Sequence, residues 1–139
     1  GLEEDIKENF KSYNVGFHRH QPEIRDFLKT EFNLDHEIIF IPHLLPLFRG
    51  EYVTLYCEVT KNDLNLNDLY ENYYESHKLV RIKEKGEIAE IKDVINTFYC
   101  DISLSYAFQS NTIVINSAID NLLKGAASQA IQCLDIMSS

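Results

Sequence analysis

Two histidines flank one arginine at His18-Arg19-His20, immediately ahead of Pro22 and Glu23. An imidazole exchanges protons near neutrality, its unperturbed pKa being roughly 6.5, so this pair is a candidate for general acid–base chemistry. Pro22 suits a first helical position and Glu23 adds charge to a first turn, which predicts a helix starting there. His20 then stands just before that helix. The unpaired amides and the positive end of the dipole favour the neutral imidazole, the form a base needs, and such a helix start also attracts anions. On residue types alone the plainer role is preferred, with His20 or Gln21 capping the helix and His18 on the surface.

Other groups invite the same comparison. Four of the five histidines, His18, His20, His36 and His43, fall within a short span. A zinc site needs three or four convergent ligands, only two are locally paired here, and H-E-x-x-H is absent, so no metal is expected. Arg49 ends "PHLLPLFR" before Gly50. A guanidinium on such a stiff loop can grip a carboxylate or phosphate through two bonds, although an exposed arginine at a strand entrance is the commoner case. In "SAIDNLLKGAA", Asp120 or Ser117 can cap a helix whose first turns carry Asn121 and Lys124. Gly125 inside that helix costs roughly 1 kcal/mol relative to Ala, which points to close approach by another element or a ligand, with helix packing slightly favoured. Cys57, Cys100 and Cys133 form no C-x-x-C pair. They read as reduced, mostly buried thiols of a cytosolic protein, with Cys57 and Cys100 pointing inward.

The elements that must hold these residues follow from periodicity. Leu2, Ile6 and Phe10 predict an amphipathic helix over Leu2–Lys11, and Ile24, Phe27, Leu28 and Phe32 give the second helix its apolar face. "HEIIFIP" predicts a short strand covered on both faces, and the prolines at 42 and 46 make "PHLLP" a rigid loop outside any ladder. "YVTLYCEV" alternates Val53, Leu55, Cys57 and Val59 against Tyr52, Thr54, Tyr56 and Glu58. "KNDLN" supplies a turn, after which Asn65 and Asp68 suit a helix start with Leu66, Leu69 and Tyr73 as buried stripe. "LVRIK" is a strand, "KGE" a turn, and "IAEIKDVINTF" fits neither period for long. "CDISLSYAF" and "TIVIN" alternate as strands around a turn at Gln109–Asn111. Residues from Ile119 to Leu134 recur at helical spacing.

This order predicts an α+β fold: a mixed, largely antiparallel sheet with helices on one face. The other face carries Tyr52, Thr54, Tyr56, Ser103 and Ser105, neutral and partly aromatic, which suits contact between subunits as much as a wet surface. At 139 residues, 1–139 reads as one domain, and 45% apolar with 25% charged residues is an ordinary globular mixture. No apolar run approaches the ~18 residues of a membrane span, and the acidic N-terminal stretch is unlike a secretory signal. With 22 acids against 13 bases and a net charge of −9, nucleic acid is not an expected partner.

Taken together, "ENFKSYNVGFHRHQPEI", "PHLLPLFRGEYVTLY", "YCDIS" and "SAIDNLLKGAASQAIQ" resemble, in order, the N-acetyl-gamma-glutamyl-phosphate reductase family. The resemblance implies a domain like the C-terminal domain of glyceraldehyde-3-phosphate dehydrogenases. It further implies NADPH-dependent reduction of an acyl phosphate to a semialdehyde in arginine biosynthesis, in the cytoplasm. In such enzymes a cysteine thiolate displaces phosphate, hydride reduces the thioester, and a histidine of the H-R-H motif manages protons. That role falls on His18 and His20 as a pair, with His20 preferred for its place at the helix start. Tyr13, Glu23 and Arg49 match positions that shape or grip the substrate, and Asn121 and Lys124 match the motif that faces NADP.

The departures are equally specific. No glycine-rich dinucleotide fingerprint occurs, glycine totals five, and none of the cysteines sits in the family's asparagine-proline-glycine-cysteine turn. The chain is therefore expected to be the catalytic and dimerisation part of a larger enzyme. Taken alone, it is expected to bind no cofactor and be inactive. Its partners would be a nucleotide-binding domain, a small acyl phosphate and a second copy met through the sheet face. Two other readings remain: a non-enzymatic dimerisation or ligand-binding module on the same scaffold, and a reductase of the longer amino adipyl phosphate in lysine biosynthesis.

Overall fold

Side-chain alternation along residues 51–58, 100–106 and 112–119 is realised as three long strands that pair with one another. The computed structural model describes residues 7–60, 65–107 and 111–138, which fall into two units, 1–48 and 49–139. In the second unit β3 (Glu51–Glu58), β4 (Val80–Ile82), β5 (Cys100–Tyr106) and β6 (Thr112–Ile119) form a sheet in the order β3-β6-β5-β4. The β3/β6 and β5/β6 pairs are antiparallel, and β4/β5 is parallel. Register fixes the faces. Leu55, Ile115 and Leu104 lie side by side on one, and Thr54, Asn116 and Ser103 on the other.

The apolar face is covered by helix α2 (Leu66–Tyr74), where Leu66 packs with Ile102, Leu104, Ile113 and Ile115. Tyr70 and Tyr74, four and eight residues on, complete the contact. The expected stripe through Leu69 and Tyr73 is thus turned outward, at 48% and 69% exposed. An aromatic residue at the fourth spacing decided the rotation. Leu55 and Cys57 lie on this face yet are exposed, as is Cys133. Mostly buried thiols are therefore not found; only Cys100 packs against the core.

The polar face is the larger departure. Residues 84–99, with a 3-10 turn at Ile91–Asp93, fold over it. Ala89 and Val94 pack there against Ala118, all three essentially sealed from solvent. The Ala89 amide donates to Ser103 Oγ at 3.0 Å. Asp101 is fully buried and receives Nε and Nη2 of Arg81 at 2.6 and 2.9 Å, while Tyr99 stacks on that guanidinium. Ser103 is accordingly unavailable for the subunit contact expected of it. The stretch that matched neither period is a loop whose few apolar residues serve this face. Tyr52 and Tyr56, on β3, remain exposed.

Gly50 precedes β3 with φ +119°, and a Cβ there would overlap Cγ2 of Ile91 in the covering turn. Both the left-handed backbone and the close approach require glycine. Gly50→Ala is expected to lower stability by about 1–3 kcal/mol, read as a fall in the melting temperature. An unchanged melting temperature would mean that the turn at Ile91 yields freely.

After β6 the chain does not enter an α-helix directly. Residues Leu123–Ala127 form a π turn, with Gly125 and Ala127 amides bonded five residues back to Asp120 and Leu122 carbonyls. Helix α3 (Ser128–Ser138) follows and buries none of its residues within this chain. Ile119, expected to open the last helix, instead closes β6. Gly125 belongs to the π turn rather than to a helix interior, its position bounded by Ile119 and Asp120.

In the first unit, helix α1 (His20–Phe32) begins two residues before Pro22 and ends at Asn33, left-handed at φ 54°, with the Leu34 amide bonded to the Leu28 carbonyl. Its apolar face is present but no residue of it is buried. The expected helix over Leu2–Lys11 is not found in its described part. Glu8 has positive φ, and β1 (Lys11–Ser12) pairs antiparallel with β2 (His43–Leu44); residues 1–6 lie outside the described residues. The expected strand at 36–42 is not one, because no neighbour among the described residues completes its ladder, and Ile39 is 86% exposed. Between the two prolines, by contrast, His43 and Leu44 do pair. Proline removes only its own donor, and the Pro42 carbonyl accepts from the Tyr13 amide at 3.0 Å. Of the turns at "KNDLN" and Gln109–Asn111, residues 61–64 and 109–110 lie outside the described residues.

Candidate functional site

His20 is the first residue of α1, and the turn before it brings three rings together. The His18 and His20 rings meet edge to face, 4.7 Å between centroids, and Tyr13 meets His18 edge-on at 5.5 Å. Phe40 touches both, 5.1 Å from His18 and 6.0 Å from His20. Neither His20 nor Gln21 caps the helix through its side chain. Instead the His20 amide donates to His18 Nδ1 at 3.3 Å, and the Gln21 amide to the His18 carbonyl. A ring nitrogen that accepts carries no proton, so in neutral His18 the hydrogen sits on Nε2. His18 is half-buried and His20 exposed, which leaves the latter ring open to a reactant. Glu23, three residues along α1, shares His20's side of the helix and is exposed. The structure thus joins Tyr13, His18 and His20. Periodicity gave no sign of Phe40, which joins them from a non-strand segment.

The second unit sets Arg49 on a residue of another kind, which Asn121 and Lys124 follow in the chain. Asp120, the first residue after β6, is wholly buried. Its Oδ1 accepts the amides of Leu122 and Leu123 at 2.9 and 3.0 Å, so it, and not Ser117, is the cap. Its Oδ2 accepts the Asn96 amide at 2.8 Å and Arg49 Nη1 at 3.2 Å. Burial by itself raises a carboxyl pKa, but the amides of Asn96, Leu123 and Leu122 and the Arg49 charge outweigh it. The group is held below its ordinary value. Arg49 Nη1 also donates to Asn96 Oδ1 at 2.7 Å.

Asn121 and Lys124 project from the same turn. Asn121 Oδ1 accepts the Gly50 amide at 2.8 Å, which ties the turn to the start of β3. Lys124 Nζ donates to the carboxamide oxygens of Gln129 and Gln132 at 2.7 and 2.6 Å. Both partners are neutral carboxamides. A lysine charge and an Asn121 amide can meet one part of a dinucleotide; among the described residues no glycine-rich cradle exists to hold the rest. The described residues also contain no group of three or more metal-ligating side chains. A shallow hollow of about 500 Å³ beside β4 is lined by Arg81, Lys83, Glu84, Glu87 and Asp93. Its cations are already paired with Asp93 and Asp101.

Comparison with known proteins adds to this geometry. The family model described as "Semialdehyde dehydrogenase, dimerisation domain" matches residues 2–121. N-acetyl-gamma-glutamyl-phosphate reductase of Brachyspira hyodysenteriae is 42% identical over 135 residues, covering 95% of this chain and 38% of that protein. The reductase of the same name from Clostridium botulinum strain Eklund 17B is 43% identical over 133 residues, covering 94% of this chain and 38% of its own length. The chain therefore spans little more than a third of such relatives. Among solved structures, aspartate semialdehyde dehydrogenase from Francisella tularensis superposes with a TM-score of 0.73 at 14% identity, over 96% of this chain and 40% of that one. That likeness shows the fold. No helix among the described residues is long and apolar enough to cross a membrane.

Proposed function

This chain belongs to the semialdehyde dehydrogenase dimerisation-domain family, and from that premise we propose that it is the catalytic and dimer-forming domain of a cytoplasmic N-acetyl-gamma-glutamyl-phosphate reductase. The observation that carries the reading is the His18–His20 pair, held ring against ring between Tyr13 and Phe40 at the start of α1. Two imidazoles in contact, one of them exposed, suit a site where a proton must be taken and returned.

In this reading His20 handles the proton at the reacting centre and His18 orients it. Tyr13, Glu23 and Arg49 bind the acyl phosphate. Asn121 and Lys124 meet NADP, whose nicotinamide supplies hydride when bound. The residues present here include neither a cysteine in a nucleophile turn nor a dinucleotide cradle, so this stretch alone is expected to turn nothing over. The second subunit docks along β3. Both faces of this edge strand are exposed, with Leu55 at 49% and Tyr56 at 74%, and an apolar edge of that kind is ordinarily covered.

The experiment is NADPH oxidation by the full-length protein. N-acetyl-gamma-glutamyl phosphate is compared with the amino adipyl phosphate that is one methylene longer. Preference for the shorter substrate is expected. No oxidation with either would sink the enzymatic reading and leave the scaffold one.

A further inference from the structure

Asp120 does more than cap a turn. Its two oxygens divide their work: Oδ1 fixes the amides of Leu122 and Leu123, and Oδ2 fixes Arg49 and the Asn96 amide. One buried carboxylate therefore sets both the turn that carries Asn121 and Lys124 and the guanidinium 71 residues earlier in the chain. Arg49 is held by one corner only. Nη1 is shared between Asp120 and Asn96, whereas Nε is shut from water and has no hydrogen-bond partner among the described residues. A buried donor without an acceptor is rare in folded proteins and calls for a partner. The Arg49 side chain as a whole is 23% exposed.

We infer that Asp120, assisted by Asn96, is a positioning residue. It grips Arg49 by Nη1, so that the donors it does not hold are directed at an oxyanion. The inference rests on the reading of Arg49 as a substrate residue and names what aims it. A guanidinium is a rigid fork, so pinning one corner fixes the direction of the remaining donors. The ligand class is a carboxylate or a phosphate, both of which offer oxygens in the geometry that the fork matches.

The test uses the full-length protein and two probes, inorganic phosphate followed by phosphorus NMR line width and acetate followed by carbon NMR line width. Asp120→Asn keeps a carbonyl oxygen for the Leu122 and Leu123 amides but turns a donor toward Arg49. Asn96→Gly retains the left-handed backbone, at φ 60° in the wild type, while removing the second acceptor. Arg49→Lys keeps the charge without the fork. Wild type should bind one or both probes, and the probe that responds tells phosphate from carboxylate. Asp120→Asn should weaken that binding, and raise KM for the acyl phosphate, by about tenfold with a smaller change in kcat; Arg49→Lys should do the same. Asn96→Gly should show the same direction, and it stands in if Asp120→Asn fails to fold. Binding that is indifferent to Arg49→Lys, or indifferent to both positioning variants, overturns the inference. If the acyl phosphate is not reduced but the probes behave as expected, the proposed reaction fails and the positioning role stands.

Discussion

Replacing Asp120 with alanine is expected to lower the unfolding free energy of the protein by about 3–5 kcal/mol, the scale seen when one partner of a buried ion pair is removed. The carboxylate has no solvent contact and receives Arg49 together with three backbone amides. Alanine leaves the three amides without their acceptor at once and Arg49 with Asn96 Oδ1 alone. The natural stability of a domain is about 5–15 kcal/mol, so such a loss removes a large share of it. Denaturant titration of the full-length protein measures it through the midpoint of unfolding. A loss below about 1 kcal/mol would mean that water enters and takes over the acceptor role.

The same carboxylate carries a pH dependence whose sign follows from its environment. Its folded pKa lies below the ordinary 3.8, because the amide bonds and the Arg49 charge outweigh desolvation. A group depressed in the folded state binds protons more readily when unfolded. Its stabilisation is therefore fully present above the ordinary value and is lost as pH falls through the lower folded value. Wild type and Asp120→Ala should accordingly converge in stability under acid and stay apart near neutrality.

The second large effect is on rate. Removing the His20 imidazole is expected to reduce turnover of the acyl phosphate by about 10²–10⁴-fold, the usual contribution of a positioned acid–base group. Folding should change little. His20 is exposed, and its ring meets only His18 and Phe40 among the described residues. His18→Ala should lose turnover too and also some stability, since His18 contacts Tyr13, His20 and Phe40 and accepts the His20 amide. A double variant, His18→Ala with His20→Ala, that reduces substrate at the wild-type rate would support the reading of a scaffold that keeps the motif without the chemistry.

Much of this was legible in the residues themselves. The alternation in "YVTLYCE", "CDISLSY" and "TIVIN" located β3, β5 and β6, because a strand with unlike faces must write period two into its sequence. Asp120 or Ser117 ahead of an apolar run marked a cap, which Asp120 supplies, and "HRHQPEI" marked a helix start to within two residues. The order of four motifs pointed to the semialdehyde dehydrogenase relatives, which the matched family model bears out.

Tertiary structure decided the rest, for one physical reason. Periodicity records which faces of an element differ, but not what comes to lie on each. The face holding Asp101 and Ser103 looked like a surface because its residues are polar. It is an interior because Arg81 and Lys83, in and just after β4, meet Asp101, while residues 84–99 bring the Ala89 amide to Ser103. The helical spacing after Ile119 concealed a π turn, whose bonds to Asp120 and Leu122 depend on backbone geometry rather than side-chain pattern. Arg49 read as a free cation on a stiff loop, and only folding set it on a carboxylate far along the chain. The sequence by itself determined the kinds of residue available, the strands and the family. Which donors meet which acceptors was settled when the chain closed on itself, since a buried carboxylate such as Asp120 is tolerated only where every neighbour it needs has arrived.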